Sequence, residues 1–362
     1  MSSSVWKPYS GLLTVCCLTI LRLEVEEGYF MAKVSLALCC SHSTFLFTSP
    51  ETWNETRAKR TLRRNVPHDS LEANVAKFDR CVKAFGVLRE KIEAVRPDVL
   101  VIFGDDQGEL FNFNNFPAMG IYLGEEFSGH RAVGATSQLP GRPIERRPKT
   151  PETWVSLRGH PELARVLLTG LMKRGFDLAF SLDLPNRDEG MGHAFMRPPH
   201  YLTPRYDIPI VPIFVNCYFS PQPTAKRCYD LGKAVREVIE ESPLDLKVTV
   251  LGSGGLWHTP AAPDAYINEE FDRMILEAVK AGDARKMAEY FDDVRPPPFD
   301  SEAFRRKNGG TGMLGGIGSG TGETRNWIAA AAVADGAPGV VVDYVPVYAS
   351  PCGMGFAYWD KL

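Results

Sequence analysis

The chain predicts an α/β fold, mostly one domain with a central mixed sheet covered by helices on both faces. Short apolar runs alternate with helical patterns from residue 31 onward. The runs are continuous rather than alternating, as in strands buried on both faces. Several of them end in glycines and polar residues, the usual form of a strand exit that carries a site in an open α/β sheet. The composition agrees: 362 residues, 44% hydrophobic and 23% charged, exclude wholesale disorder and a fibrous chain. Lys+Arg 41 against Asp+Glu 44 leaves a net charge of −3, so no partner held by phosphate neutralisation, and no nucleic acid, is expected.

Residues 33–40 (KVSLALCC) read as the first buried strand. Residues 50–66 are charged and read as a surface segment. Leu71, Val75, Phe78, Val82, Phe85, Leu88 and Ile92 recur at spacings of three and four, the period of an amphipathic helix. Arg96-Pro97 ends it, and residues 98–104 (DVLVIFG) form the next strand. Residues 125–158, polar and Pro-rich without a period, read as a long loop over a site.

Residues 160–175 read as a helix closed by glycine. Residues 177–184 and 208–216 read as strands flanking a loop with two histidines. Helix 225–241, strand 246–255 and helix 266–280 follow, and Pro296, Pro297 and Pro298 mark a break. The glycine-rich stretch 309–322 leads into an alanine-rich helix over 325–334, and residues 339–348 close the pattern as a strand. The domain therefore runs over 31–362, with residues 1–30 as an N-terminal extension.

Within that extension, residues 11–21 (GLLTVCCLTIL) are apolar but shorter than the roughly 20 residues that span a bilayer, so no membrane association is expected. No small-residue cleavage site follows them. An extension upstream of a strand that Met31 opens fits best, with a targeting segment as the other reading. The eight cysteines (Cys16, Cys17, Cys39, Cys40, Cys81, Cys217, Cys228 and Cys352) contain no C-x-x-C, and several sit in apolar runs. That usage suits a reducing, cytoplasmic compartment. Gly310, Gly312 and Gly315 satisfy G-x-G-x-x-G, but FRRKNG precedes them where a dinucleotide site needs a strand.

The strand exits hold the chemistry. His42 leaves the first strand; Asp105, Asp106, Gln107 and Glu109 leave the second; His258 leaves LGSGG. His193 and His200 lie in DEGMGHAFMRPPH, and Glu323 opens a helix, where exposed N–H groups favour a carboxylate. Histidines and carboxylates at strand exits point to a mononuclear metal site with mechanistic histidines beside it. Each residue also has a plainer reading: His42 as a turn histidine, His258 as a core one, His193 as a loop residue, Glu323 as a dipole partner, and Asp105 and Asp106 as strand terminators bonding local backbone. His68, His130, His160 and His200 read as surface residues.

MAKVSLALCCSH, VLVIFGDDQ, FVNCYFSPQPTAKRCYDLGKAVREVIEE, LGSGGLWH, YINEEFD and SGTGETRNWIAAAA occur in this order. Together they resemble the catalytic subunit of the class III extradiol ring-cleavage dioxygenases, the group that includes protocatechuate 4,5-dioxygenase, gallate dioxygenase and 3-O-methylgallate dioxygenase. The resemblance covers Met31 to about residue 345. It implies Fe(II) as cofactor, a catechol-type substrate with O2, and a homo-oligomer, joined in some members by a small helical subunit. It implies His42 and Glu323 as iron ligands, His258 as the acid/base histidine and His193 as a second histidine near the substrate. Arg197 is a candidate partner for a substrate carboxylate.

Gln107 occupies the place of the family's second iron-binding histidine. An amide oxygen is a harder, weaker donor to Fe(II) than imidazole. Three readings of this departure stay open. Gln107 ligates through its carbonyl oxygen; or Asp106, Glu109 or His68 supplies the third ligand; or the site has lost catalytic iron. The last favours a non-catalytic metal-binding or redox-signalling protein on the same fold, similar to Memo-type proteins. A hydrolase using a metal-activated water is a further alternative by ligand type.

Overall fold

The computed structural model describes residues 31–133, 148–259, 264–294, 319–334 and 336–362. The N-terminal extension, the G-x-G-x-x-G stretch and the proline break lie outside the described residues.

Eight strands form one mixed sheet. They are β1 (Lys33–Cys40), β2 (Val99–Gly104), β3 (Met119–Tyr122), β6 (Ala179–Ser181), β7 (Ile210–Val215), β8 (Lys247–Ser253), β9 (Val340–Val347) and β10 (Cys352–Trp359), in the order β6-β3-β7-β2-β8-β1-β10-β9. The four central strands β7, β2, β8 and β1 are mutually parallel, so their C-terminal ends open on one edge. Antiparallel partners flank them, β3 beside β7 and β10 beside β1.

Alternation along each strand sorts side chains to two cores. Val99, Val101 and Phe103 of β2 face one; Leu100 and Ile102 face the other. The first core is closed by α3 (Pro161–Lys173), α5 (Ala225–Glu240), α6 (Glu269–Ala281), α7 (Ala284–Val294) and α8 (Thr324–Val333). The second is closed by α2 (Leu71–Val95) and α4 (His193–Leu202), with Phe85, Leu88 and Ile92 of α2 against Phe195 and Met196 of α4. Helices thus cover both faces, as the sequence implies. Among the described residues six cysteines are free and all six are buried, and no helix is long and apolar enough to cross a membrane.

Several sequence readings are corrected. The charged segment 50–66 contains a short helix, α1 (Trp53–Ala58), anchored by the buried Trp53. Residues 125–158 contain an antiparallel pair, β4 (Glu126–His130) with β5 (Trp154–Arg158), rather than a loop throughout. His130, at the end of β4, is buried with its ring edge-on to Trp154, so it is no surface residue. The C-terminal PCGMGFAYW is β10, paired on both sides within the sheet.

The loop expected around His193 is the helix α4, despite Pro198 and Pro199 inside it. A proline lacks the N–H that would bond the carbonyl four residues earlier. The carbonyl of Ala194, freed by Pro198, instead accepts the Ser253 hydroxyl at 2.7 Å. The prolines that made the segment look irregular therefore tie α4 to the end of β8.

Candidate metal centre

The C-terminal edge of the parallel strands gathers the residues singled out in the sequence. His42 follows β1, Asp105 to Glu109 follow β2, Tyr218 lies just past β7, and Ser253 ends β8 with His258 beyond it. The N-terminus of α4 brings His193, and the turn before α8 brings Glu323. His42, Asp105, His193 and Glu323 are 4%, 0%, 3% and 1% exposed, so charge here must be met by protein or by a cation.

The hydrogen bonds fix the imidazole tautomers. Ser253 donates its one hydroxyl proton to Ala194, so at 2.9 Å it accepts from His42 Nδ1–H. His42 Nε2 is then a lone pair, 3.2 Å from Glu323 Oε2 and 3.8 Å from Asp105 Oδ1. His193 Nδ1–H points at the Glu109 carboxylate, 2.7 Å away, which leaves its Nε2 as an acceptor. The same pairing of imidazole with carboxylate orients metal-bound and catalytic histidines elsewhere. The His42 and His193 rings meet edge to face with centroids 4.6 Å apart. His258 donates Nδ1–H to the Leu256 carbonyl at 3.0 Å and holds Nε2 3.4 Å from Glu323 Oε1.

Glu323 is the hub. Oε2 accepts from the Gly255 N–H at 2.9 Å, and Oε1 accepts from the Tyr218 hydroxyl at 2.5 Å. Its approach depends on backbone without side chains. A Cβ on Gly254, whose φ is +111°, would stand 2.3 Å from Glu323 Oε2, and one on Gly320 would stand 1.8 Å from His258 Nε2.

The three histidines differ electrostatically. Burial lowers His42 to about 4 in spite of the nearby Glu323, and burial with the Arg197 charge lowers His193 to about 3. Both are neutral imidazoles at pH 7. Burial also opposes the charged form of His258, but the Glu323 charge and hydrogen bond outweigh it and raise its pKa above the ordinary value. For Glu323 burial is likewise outweighed, by His258 and His42, and the carboxyl is held well below the usual range. Asp105 is pushed the other way, well above its usual range, by burial and then by the Glu323 and Glu109 charges.

Of the alternative third ligands, Asp106 is spent on its own turn, accepting from the N–H groups of Gly108, Glu109, Leu110 and Phe111 at 2.9–3.1 Å. Glu109 is engaged by His193. His68 is exposed. Gln107 reaches the centre, but its amide nitrogen faces Tyr218 and Glu323. Arg197 donates to the carbonyls of His42 and Ala132 at 3.0 and 2.7 Å, so it braces the β1 exit. Sequence reasoning passed over Tyr218 and Ser253, and placed Asp105 at the strand exit without naming it as a ligand. The parallel strand exits were the available signal for all three.

The donor set suits a divalent metal. Both Asp105 oxygens lack a hydrogen-bond partner while fully buried, and the His42 lone pair faces two carboxylates. One donor atom from each of His42, Asp105 and His193 lies within 4.8 Å of the others. Only a cation or an added proton relieves this arrangement.

Comparison with known proteins agrees with the resemblance. Over 135 residues the chain is 35% identical to gallate dioxygenase of Pseudomonas putida, covering 36% of this chain and 38% of that protein. It is 27% identical over 195 residues to 2,3-dihydroxyphenylpropionate/2,3-dihydroxicinnamic acid 1,2-dioxygenase 2 of Pseudomonas putida, 54% of each chain. A corresponding dioxygenase of Escherichia coli is 30% identical over 177 residues, 49% of this chain and 48% of that one. The matches thus span 38% to 54% of the length of these relatives. A solved structure of an uncharacterized protein from Escherichia coli K12, 12% identical, aligns over 90% of this chain and 99% of that one with a TM-score of 0.47, below the level at which a shared fold is argued. Residues 61–296 match the family model for the catalytic LigB subunit of aromatic ring-opening dioxygenases, a span that holds Asp105, Gln107, His193, Tyr218 and His258. With well over half of its length matched, the chain belongs to this family of ring-opening dioxygenase catalytic subunits.

Proposed function

We propose that the protein is a non-heme Fe(II)-dependent dioxygenase that cleaves a catechol-type ring, of the protocatechuate, gallate or methylgallate kind, beside its diol. The observation that carries this reading is the meeting of His42, Glu323 and His258 within hydrogen-bond range in a chain of the ring-opening family. His42 and Glu323 hold the iron in this reading, and Gln107 stands beside them. Bound Fe(II) supplies the Lewis acidity and electron transfer that let a catechol react with O2.

His258 acts as the acid/base. Its Nδ1–H is fixed on Leu256, so Nε2 alone exchanges protons with the substrate. Its raised pKa, set by Glu323, suits taking a hydroxyl proton and returning it during ring opening near neutral pH. His193, kept neutral with Nδ1–H on Glu109, offers Nε2 to a substrate oxygen that bears a proton. Burial of these groups excludes water from competing for the same positions. Both atoms of O2 enter the ring-opened product. The soluble partners of this reaction are the catechol and O2; a homo-oligomer, with or without a small helical subunit, goes with the same resemblance, and a cytoplasmic location with the cysteine usage.

The test is O2 uptake by the full chain loaded anaerobically with Fe(II) and given protocatechuate or gallate. The reading predicts one O2 consumed per catechol and both labelled atoms of 18O2 in the product. Stoichiometric iron without uptake on any catechol supports the second reading, a non-catalytic metal-binding or redox-signalling protein, which Gln107 favours.

A further inference from the structure

We propose that Asp105, and not Gln107, supplies the third protein ligand to the metal held by His42 and Glu323. The inference rests on the metal-dependent reading of the site above and names a ligand set that departs from the pattern of two histidines and one carboxylate.

Hydrogen-bond polarity decides against Gln107. Tyr218 gives its only proton to Glu323 Oε1, so its oxygen needs a donor, and Gln107 Nε2 stands 2.9 Å away. His193 has its proton on Nδ1, facing Glu109, so its Nε2 also needs a donor, and Gln107 Nε2 stands 3.4 Å away. Glu323 Oε1, another acceptor, is 3.5 Å from the same nitrogen. Turning the amide over would set its oxygen against three acceptors. The Gln107 side chain is therefore committed as a donor that braces Glu323, Tyr218 and His193.

Asp105 has the opposite character. It follows directly on β2, is 0% exposed, and neither carboxylate oxygen has a hydrogen-bond partner. Its Oδ1 lies 3.8 Å from His42 Nε2, the lone pair that also faces Glu323 Oε2 at 3.2 Å. An imidazole lone pair facing two carboxylates is repulsive without a cation, and a divalent metal beside His42 relieves it. One neutral imidazole and two carboxylates neutralise the metal's two charges, and this harder donor set accepts Mn(II) as well as Fe(II). The strand exit has in effect moved the third donor back along the chain from residue 107 to residue 105.

Mn(II) titration of the chelator-treated full chain, read by the EPR signal of free Mn(II), tests the assignment without turnover. The wild type should bind Mn(II) stoichiometrically. Asp105→Asn keeps the shape and removes the charge; it should weaken binding more than about tenfold, since even supporting residues of metal sites contribute that much. Gln107→Ala should weaken it less than Asp105→Asn does. The thermal midpoint of metal-free Asp105→Asn should stay close to that of the metal-free wild type, because the amide keeps the shape of the buried side chain, which has no hydrogen-bond partner to lose. Unchanged Mn(II) affinity in Asp105→Asn, or no stoichiometric binding by the wild type, overturns the proposal. Should Asp105→Asn fail to fold, an anaerobic crystal structure of the unmodified chain with Mn(II) decides: a bond from Asp105 supports the assignment, and a bond from Gln107 with Asp105 unbonded refutes it. Mn(II) bound through Asp105 in a protein whose iron form consumes no O2 would sink the dioxygenase reading alone. O2 uptake with undiminished affinity in Asp105→Asn would sink the ligand assignment alone.

Discussion

His258 Nε2 and His42 Nε2 approach the two oxygens of one carboxylate, Glu323, from opposite sides, at 3.4 Å from Oε1 and 3.2 Å from Oε2. Glu323 thereby raises one imidazole while the other stays neutral, because His42 loses more to burial than the carboxylate returns. The two histidines are suited to different work by this asymmetry, one to proton transfer and one to donating a lone pair.

His258→Ala should therefore keep its iron and lose turnover by roughly 10²–10⁴-fold, the usual contribution of a positioned acid/base. Iron content and O2 uptake measured on the same preparation check this. Loss of iron in the variant would show that His258 is a ligand rather than the proton carrier.

Gly254→Ala should damage the centre without touching any donor. The backbone at φ +111° strains a residue bearing a Cβ, and that Cβ would stand 2.3 Å from Glu323 Oε2. A stability loss on the order of 1–3 kcal/mol is expected, together with weaker metal binding. Urea denaturation with metal titration reads both. Unchanged metal affinity would mean that Glu323 is not held where its contact with Gly254 puts it.

Arg197→Met separates bracing from substrate recognition. The guanidinium bonds the His42 and Ala132 carbonyls, and leaving a buried acceptor such as the His42 carbonyl unmet costs about 1–3 kcal/mol. The variant should melt earlier, and KM for carboxylated and uncarboxylated catechols should change alike. A selective rise in KM for the carboxylated ring would instead assign Arg197 to the substrate.

Asp272 gives a pH signature. It accepts from the Trp257 N–H at 2.8 Å and from the Tyr344 hydroxyl at 2.6 Å, fixing the strand exit before His258. Burial outweighs these bonds and pushes its carboxyl from 3.8 up to about 7. The native protein thus keeps a proton that the unfolded chain releases above 3.8, so this contribution to stability is complete below 3.8 and is lost as pH rises to about 7. The span amounts to at most about 4 kcal/mol. Urea midpoints across that window should fall less steeply in Asp272→Asn than in the wild type. Equal slopes would remove Asp272 as the cause.

The parallel strands and their exits were legible because apolar runs buried on both faces have a plain signature: β1, β2, β7 and β8 fall where residues 33–40, 98–104, 208–216 and 246–255 read as strands. His42, His193, His258 and Glu323 then followed from the resemblance and do converge. The helix α4 was hidden because prolines mark irregular chain, and only the Ser253 hydroxyl, distant in sequence, explains how the helix tolerates Pro198. The β4–β5 pair was hidden because its strands are short and mix polar with apolar residues. The character of Asp105 was illegible for another reason. Adjacent aspartates look alike in sequence, yet Asp106 turns into four backbone N–H groups and Asp105 is left facing His42.

Iron retained after anaerobic Fe(II) loading and desalting, compared between the wild type, His42→Ala and Glu323→Ala, tests the central claim most directly. The account predicts stoichiometric iron in the wild type and almost none in either variant while both remain folded. Stoichiometric iron in both folded variants would contradict it.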